Sequence, residues 1–205
     1  MDLFKIVRKH DLVTSEWSGG TTTQLAIWPE NAIYAKRNFT WRVSSARVEA
    51  ETSEFTSLPG VTRCLMILDG TLWLKHEGHY ETTLERFAQD NFSGNWKTIS
   101  RGRVTDFNLM TTSGEGRVQI VETPSLSTRK IELMPVIHGW QMVSEVFYFL
   151  DGNMAVSLPD NTSTDIKAGD VLIVHRQNTS HVPHVEFNNH NNKTIRAVRA
   201  IIYHD

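Results

Sequence analysis

Polar side chains recur at alternate positions of three apolar segments, and the set includes two arginines. The polar members are Arg42, Ser44, Arg63, Asp106 and Asn108, and the apolar Met110 continues the same alternation. Residues two apart in a strand share one face, because side chains alternate between the two faces. If these faces line the interior of a β-barrel, the arginine forks can bind a carboxylate, and Asp106 and Asn108 can accept an amine or imidazole N–H. The set indicates a binding site for a small carboxylate metabolite.

The same residues also have a purely structural interpretation. An ion pair between Asp106 and either Arg42 or Arg63 could fix the interior without binding any ligand, and buried pairs are weak evidence of function. Two nearby tryptophans, Trp17 and Trp41, are candidates either for contact with the ligand or for packing in the core. Both alternatives stay open at the level of sequence.

The segments that would position these residues show the signals of short antiparallel strands. Residues 39–44 alternate apolar and polar side chains, the period of a half-buried strand, and residues 146–150 and 171–174 are apolar runs rich in aromatic and β-branched side chains. The dipeptides Asp69-Gly70 and Asp151-Gly152 are typical of hairpin turns. With no amphipathic segment of three helical turns, the sequence predicts an all-β protein.

The chain also repeats itself. Leu68-Asp69-Gly70 recurs as Leu150-Asp151-Gly152, 82 residues later. Asp90 and Asp170, and likewise residues 106–108 and 186–188, recur with a shift of 80. Matches in the same order predict two copies of one β unit, over residues 1–122 and 129–205. We expect each copy to be an antiparallel barrel of the jelly-roll or cupin kind.

The second half resembles the cupins, whose two spaced motifs hold a metal through three imidazoles and one carboxylate. His138, Trp140, Glu145 and Gly152 occupy the positions of the first motif, with Trp140 in place of a histidine. In the second motif, His181 lies one residue beyond the histidine position. The resemblance implies His138, Glu145 and His181 as candidate ligands of a divalent metal. Since a one-residue shift turns a strand side chain to the other face, we expect them not to converge and expect no cofactor.

The first half departs from the cupin motif in a different way. Arg63 lies seven residues before Gly70, where the cupin motif has its glutamate. This exchange would change the centre of the first barrel from cation binding to anion binding, because a guanidinium complements a carboxylate.

Four sequence blocks in the first half resemble the HutD/Ves family. The blocks are Trp17-Ser18-Gly19-Gly20, Trp41-Arg42-Val43-Ser44, residues 54–63, and Asp106-Phe107-Asn108-Leu109-Met110. Ser18, Leu58 and Thr111 depart from the family pattern, where Asn, Phe and Arg are usual. The resemblance implies a bicupin linked to bacterial histidine utilisation, which binds a metabolite such as urocanate or formiminoglutamate and has no established reaction.

Composition narrows the possible partners. The chain of 205 residues carries 21 basic and 23 acidic residues, for a net charge of −2, and has no basic run. This balance argues against nucleic acid and against an anionic membrane surface. The single cysteine, Cys64, excludes an intrachain disulfide. Since residues 1–5 do not begin a signal peptide and no apolar run reaches about 20 residues, we expect a cytoplasmic protein.

The leading prediction is therefore a small-molecule-binding protein or metabolic regulator with its site in the first barrel, and whether it also catalyses a reaction stays open at the level of sequence. By analogy with cupins that pair through edge strands, we expect a homodimer. The alternative is a metal-dependent cupin enzyme, of the isomerase or dioxygenase type, that uses the second barrel.

Overall fold

The computed structural model describes residues 3–177 and 182–205, in which the regular structure is almost entirely antiparallel β-strand. The first strands are β1 (Leu3–Val7), β2 (Val13–Trp17), β3 (Gly20–Trp28), β4 (Trp41–Val48), β5 (Thr52–Glu54), β6 (Thr62–Asp69), β7 (Leu72–His76), β8 (Tyr80–Leu84), β9 (Gln89–Ser93), β10 (Thr98–Arg101) and β11 (Val104–Thr111). They continue with β12 (Glu115–Thr123), β13 (Ser127–Glu132), β14 (Met142–Phe149), β15 (Asn153–Ser157), β16 (Ser163–Lys167), β17 (Val171–Gln177), β18 (His184–Asn189) and β19 (Ile195–His204). Short 3₁₀ turns span Lys9–Asp11 and Tyr34–Lys36.

The chain divides into two compact units, but not at the predicted boundary. The first unit comprises residues 12–116, and the second unit combines residues 3–11 with residues 117–205. The expected division into 1–122 and 129–205 differs at the amino terminus, because β1 pairs antiparallel with β17. It also differs at residues 117–122, because β12 pairs with β19 of the second unit. A five-residue strand does not specify its partner by its own pattern, so the sequence could not assign β1 to the second unit. The turn formers at 124–126 lie between β12 and β13.

The two units share one strand order. In the first unit, one sheet runs β2-β3-β4-β11-β6-β9 and the other runs β5-β10-β7-β8. In the second unit, the order is β1-β17-β14-β19-β12 and β13-β18-β15-β16. When β4–β11 are matched to β12–β19 in chain order, every neighbour in the shared part of the sheets agrees. The predicted repeat of one β unit is therefore present, and the strand pairing among the described residues forms four open sheets.

Only some of the marks that suggested the repeat are equivalent in the structure. Gly70 and Gly152 occupy matching turns, after β6 and after β14, and both have positive φ, of 86° and 67°. Asp90 lies within β9, whereas Asp170 immediately precedes the matching strand β17. Residues 106–108 lie in β11, but residues 186–188 lie in β18, which matches β10. That third match was a coincidence of sequence.

Each unit has its own apolar core between its two sheets. In the first unit, Leu65 and Ile67 of β6 pack with Leu72 and Leu74 of β7. In the second unit, aromatic side chains fill the interior, among them Phe147, Phe149 and Phe187. The first core occupies only part of the interior, and the rest is lined with polar side chains. Within the described residues, no helix is long and apolar enough to cross a membrane.

Candidate functional site

The predicted polar residues line one cavity inside the first unit. Its volume is about 300 Å³, at the lower end of the ~300–1,000 Å³ common for small-molecule sites. Seven of the eight sequence candidates border this cavity: Trp17, Arg42, Ser44, Arg63, Asp106, Asn108 and Met110. The eighth, Trp41, does not, because it precedes Arg42 in β4 and so points to the opposite face, where it is fully buried.

Strand register arranges the cavity in three rows. In the first row, Met110 of β11 is paired with Arg42 of β4 on one side and with Arg63 of β6 on the other. In the next row, Asn108 is paired with Ser44, and in the third Asp106 is paired with Ala46. The arginine row and the aspartate row are four residues apart, about 13 Å along the strand. The cavity thus has a cationic end and an acidic end.

Arg63 is a buried cation that has no carboxylate of a described residue within 4.0 Å. Its side chain is 7% exposed, and its Nε is buried without a hydrogen-bond partner among the described residues. The guanidinium lies over the rings of Phe55 and Phe92, with its Cζ 4.6 Å and 5.4 Å from the ring centroids. Burial lowers the pKa of Arg63 to about 10, so the group remains charged at neutral pH. The two rings pack against the guanidinium group, and its N–H donors are available to an anion.

Arg42 is held more tightly than Arg63. Its Nε donates to Oε1 of Gln24 at 3.0 Å, and its Nη1 donates to Oγ of Ser44 at 3.1 Å. The Cζ of Arg42 lies 4.2 Å from the centroid of the Tyr34 ring, a distance at which cation–π attraction applies. Burial lowers the pKa of Arg42. These contacts use neutral acceptors, so they orient the guanidinium without neutralising its charge.

The structure does not contain the ion pair that the structural interpretation requires. Among the described residues, neither Arg42 nor Arg63 has a nitrogen within 4.0 Å of a carboxylate oxygen of Asp106. The carboxylate of Asp106 instead accepts one hydrogen bond, from the backbone N–H of Ala46 at 3.2 Å. The arginines and Asp106 therefore line the same cavity at different rows without a direct ion pair, although Arg63 and Asp106 affect each other's pKa through space.

Further polar atoms in the cavity wall lack partners. Oδ1 of Asn108 and Oγ of Ser53 are buried, and neither has a hydrogen bond to any described residue. A buried polar atom left unpaired costs about 1–3 kcal/mol. Together with Nε of Arg63, three such atoms surround one cavity, which suggests that a polar ligand would supply their missing hydrogen bonds.

Aromatic residues form the outer part of the cavity. Trp17 ends β2 and is 40% exposed, which fits the mouth better than the core. Gly19 allows this position, because a Cβ there would come within 2.1 Å of the Trp17 ring. Tyr34 and Phe55, which sequence reasoning missed, lie in connecting segments where no periodic pattern could have identified them.

In the second unit, two of the three candidate metal ligands, Glu145 and His138, lie in the described part of the chain, and neither belongs to a cluster of possible metal ligands there. Glu145 is fully buried, and both of its carboxylate oxygens are already bound. Oε1 accepts from the backbone N–H of Met134 at 2.6 Å, and Oε2 lies 2.6 Å from Nε and 2.5 Å from Nη2 of Arg199. His138 is exposed in the loop before β14, and His181 lies outside the described residues. The described residues contain no cluster of three possible metal ligands.

Trp140 explains why this end of the second unit differs from a metal site. It packs, partly buried, against an apolar cluster that includes Val143, Ile201 and Tyr203. The indole at this position is part of the packing. A divalent ion at Glu145 would have to displace Arg199, so the described residues at this end of the unit do not fit a metal.

The internal repeat makes the difference between the units explicit. Arg63 and Glu145 both lie seven residues before their turn glycine. Asn108 is opposite Leu65, and Arg199 is opposite Phe147, so these two positions also match. The second unit thus places a closed Glu145–Arg199 ion pair where the first unit has two side chains with unpaired buried atoms.

Comparison with known proteins agrees with this geometry. Similar solved structures include a conserved protein of unknown function from Pseudomonas aeruginosa PAO1, with a TM-score of 0.79 and 20% identity over 99% of this chain and 100% of that chain. They also include HutD from Pseudomonas fluorescens SBW25, with a TM-score of 0.68 and 19% identity over 99% of this chain and 100% of that chain. Oxalate decarboxylase from Lactobacillus farciminis, in a formate complex, also shares the fold (0.66, 8%, 97% and 86%). At these identities the likeness shows the fold alone.

The chain is therefore an all-β protein of antiparallel sheets with cupin-like structural neighbours. The HutD family profile matches residues 9–194, and the chain belongs to the HutD family. No curated protein sequence matches it.

Proposed function

We propose that this HutD-family protein binds a small carboxylate metabolite in the cavity of the first unit and acts as a binding protein or metabolic regulator. The observation that carries the proposal is Arg63, a buried guanidinium that borders the cavity. Its Nε has no hydrogen bond, and its charge has no direct ion pair, to any residue that the structure describes. An uncompensated buried charge is costly, and a ligand carboxylate would remove that cost through charge-assisted hydrogen bonds.

The fold supports a more specific description. We propose that each unit is a cupin-type barrel, since the units share one strand order and the chain resembles oxalate decarboxylase in fold. In the first barrel the position of the motif glutamate is taken by Arg63. The first barrel would thus bind an anion directly at this position, where a metal-binding cupin binds its metal. The pathway is the one that family membership suggests, histidine utilisation, which makes urocanate and formiminoglutamate the first ligands to test.

Calorimetric titration tests the proposal. Urocanate and formiminoglutamate are titrated into the wild type and into Arg63→Lys and Arg42→Ala. We expect Arg63→Lys to weaken binding at least about tenfold, since a point charge cannot replace the planar fork. Arg101→Lys is the matched control, because Arg101 also lies over an aromatic ring, that of Trp73, but does not border the cavity.

Melting curves recorded in parallel separate binding from folding. If Arg63→Lys and Arg42→Ala bind as the wild type does, the cavity is not the site. If the wild type binds neither ligand and Arg63→Lys only melts at a lower temperature, the arginine has a structural role alone.

A further inference from the structure

Asp106 has an environment unlike that of the arginines that share its cavity. Its side chain is 5% exposed, and its strand neighbours in the third row are Ala46 and Ile67. The apolar side chains of Val48 and Leu72 also line this cavity. One long hydrogen bond from a backbone N–H is the only hydrogen bond of its carboxylate to a described residue.

We infer that Asp106 pairs with a cationic group of the ligand and releases a proton to solvent when that ligand binds, so that the site selects zwitterions over simple carboxylates. The inference rests on the proposed binding of the carboxylate by Arg63. The ligand then spans the three rows, with its carboxylate in the arginine row and an ammonium, amidinium or guanidinium group in the aspartate row. Asn108 and Ser44 lie between the two ends.

The direction of the proton transfer follows from burial. Burial raises the pKa of Asp106 to about 7, against the opposing effects of the Ala46 N–H and the charge of Arg63. The carboxyl group is therefore largely protonated in the empty cavity at mildly acidic pH. A ligand cation beside it favours the carboxylate. The O–H bond breaks as the ion pair forms, and the proton passes to the buffer.

The other charged or ionisable groups among the described residues that border the cavity are two arginines, one glutamate and one tyrosine. They are Arg42 on β4, Arg63 on β6, Glu54 at the end of β5 and Tyr34 in its 3₁₀ turn. The guanidinium groups keep their charge at neutral pH, and Glu54 is exposed to solvent. No histidine is among the described residues that border the cavity. A proton released near neutral pH is thus assigned to Asp106.

The test compares three probes by calorimetry in two buffers that differ in heat of ionisation. Acetate offers a carboxylate alone, 4-guanidinobutanoate adds a cation, and 4-ureidobutanoate has nearly the same shape without the charge. We expect 4-guanidinobutanoate to release about 0.9 proton per ligand at pH 6 and about 0.1 at pH 8, and to bind about tenfold more tightly at pH 8. Asp106→Asn should abolish the proton release and the preference for the cation.

Each outcome distinguishes this inference from the proposed function. If acetate and 4-ureidobutanoate bind and depend on Arg63, while 4-guanidinobutanoate binds no more tightly and releases no proton, the carboxylate site stands and the role of Asp106 is overturned. If Asp106→Asn releases as many protons as the wild type, the proton comes from another group and the inference fails. If none of the three probes binds, acetate included, both proposals fail.

Discussion

Replacing Asp106 by asparagine should stabilise the ligand-free protein, and the gain should grow with pH. Asparagine keeps the shape of the side chain and can still accept from the N–H of Ala46, but it cannot ionise. In the unfolded chain the aspartate has a pKa of about 3.9, whereas burial raises the pKa of Asp106 to about 7 in the folded protein. The folded state therefore holds the proton more tightly, and the wild type loses stability as pH rises between these two values.

The magnitude follows from the pH interval. Between pH 5 and the folded pKa of about 7, each unit costs about 1.4 kcal/mol, so the wild type should lose about 3 kcal/mol relative to Asp106→Asn by pH 8. Urea unfolding of both proteins at pH 5 and pH 8, with no carboxylate in the buffer, measures the two free energies of unfolding. An Asp106→Asn advantage that stays constant over this range would refute the reasoning, because it would mean that Asp106 is already ionised at pH 5.

Four further predictions concern the cavity of the first unit and the Glu145–Arg199 ion pair of the second unit. The double variant Arg63→Glu with Asn108→Arg copies the ion pair of the second unit into the first, so it should lose carboxylate binding in calorimetry while keeping its melting temperature, unlike Arg63→Glu alone. Glu145→Gln should lower the free energy of unfolding by about 3–5 kcal/mol, since Arg199 is left buried without a counterion, and ligand affinity of the first unit should not change. Trp17→Ala should raise the dissociation constant of an aromatic ligand such as urocanate about tenfold with little effect on the melting temperature. Dialysed protein should contain less than one equivalent of metal by elemental analysis, and a full equivalent that disappears in His138→Ala would contradict our interpretation of Glu145.

The sequence was sufficient to predict much of the cavity wall because strand alternation is a local property. Arg42 and Ser44 lie two apart, and so do Asp106 and Asn108, so each pair had to share a face once the strands formed. The turn at Gly70 fixed the end of β6 and thereby the direction of Arg63. None of these inferences needed knowledge of which strands are neighbours.

The remaining features depend on partners that are distant in sequence. Glu145 pairs with Arg199, 54 residues away, and a carboxylate that suits a metal suits an arginine equally well, so its spacing alone could not decide between them. Tyr34 contacts Arg42 from a 3₁₀ turn, and no periodic sequence pattern predicts the position of a residue in such a turn. Whether Asp106 forms an ion pair with Arg42 or Arg63 likewise depends on distances between side chains in the folded protein. The sequence could not supply these distances, so it left both the ion pair and the ligand site open.

The pairing of β1 with β17 has a consequence for the synthesis of the protein on the ribosome. Val7 is made early, but its strand neighbour Val171 follows 164 residues later. At translation rates of about 5–20 residues per second, roughly ten to thirty seconds pass before the partner strand of β1 is synthesised. Strands β2 to β11, which pair only with one another among the described residues, can meanwhile fold around the cavity. Until β17 is made, β1 has unpaired backbone groups along its edges, and such an edge is where a chaperone or a second nascent chain could attach first.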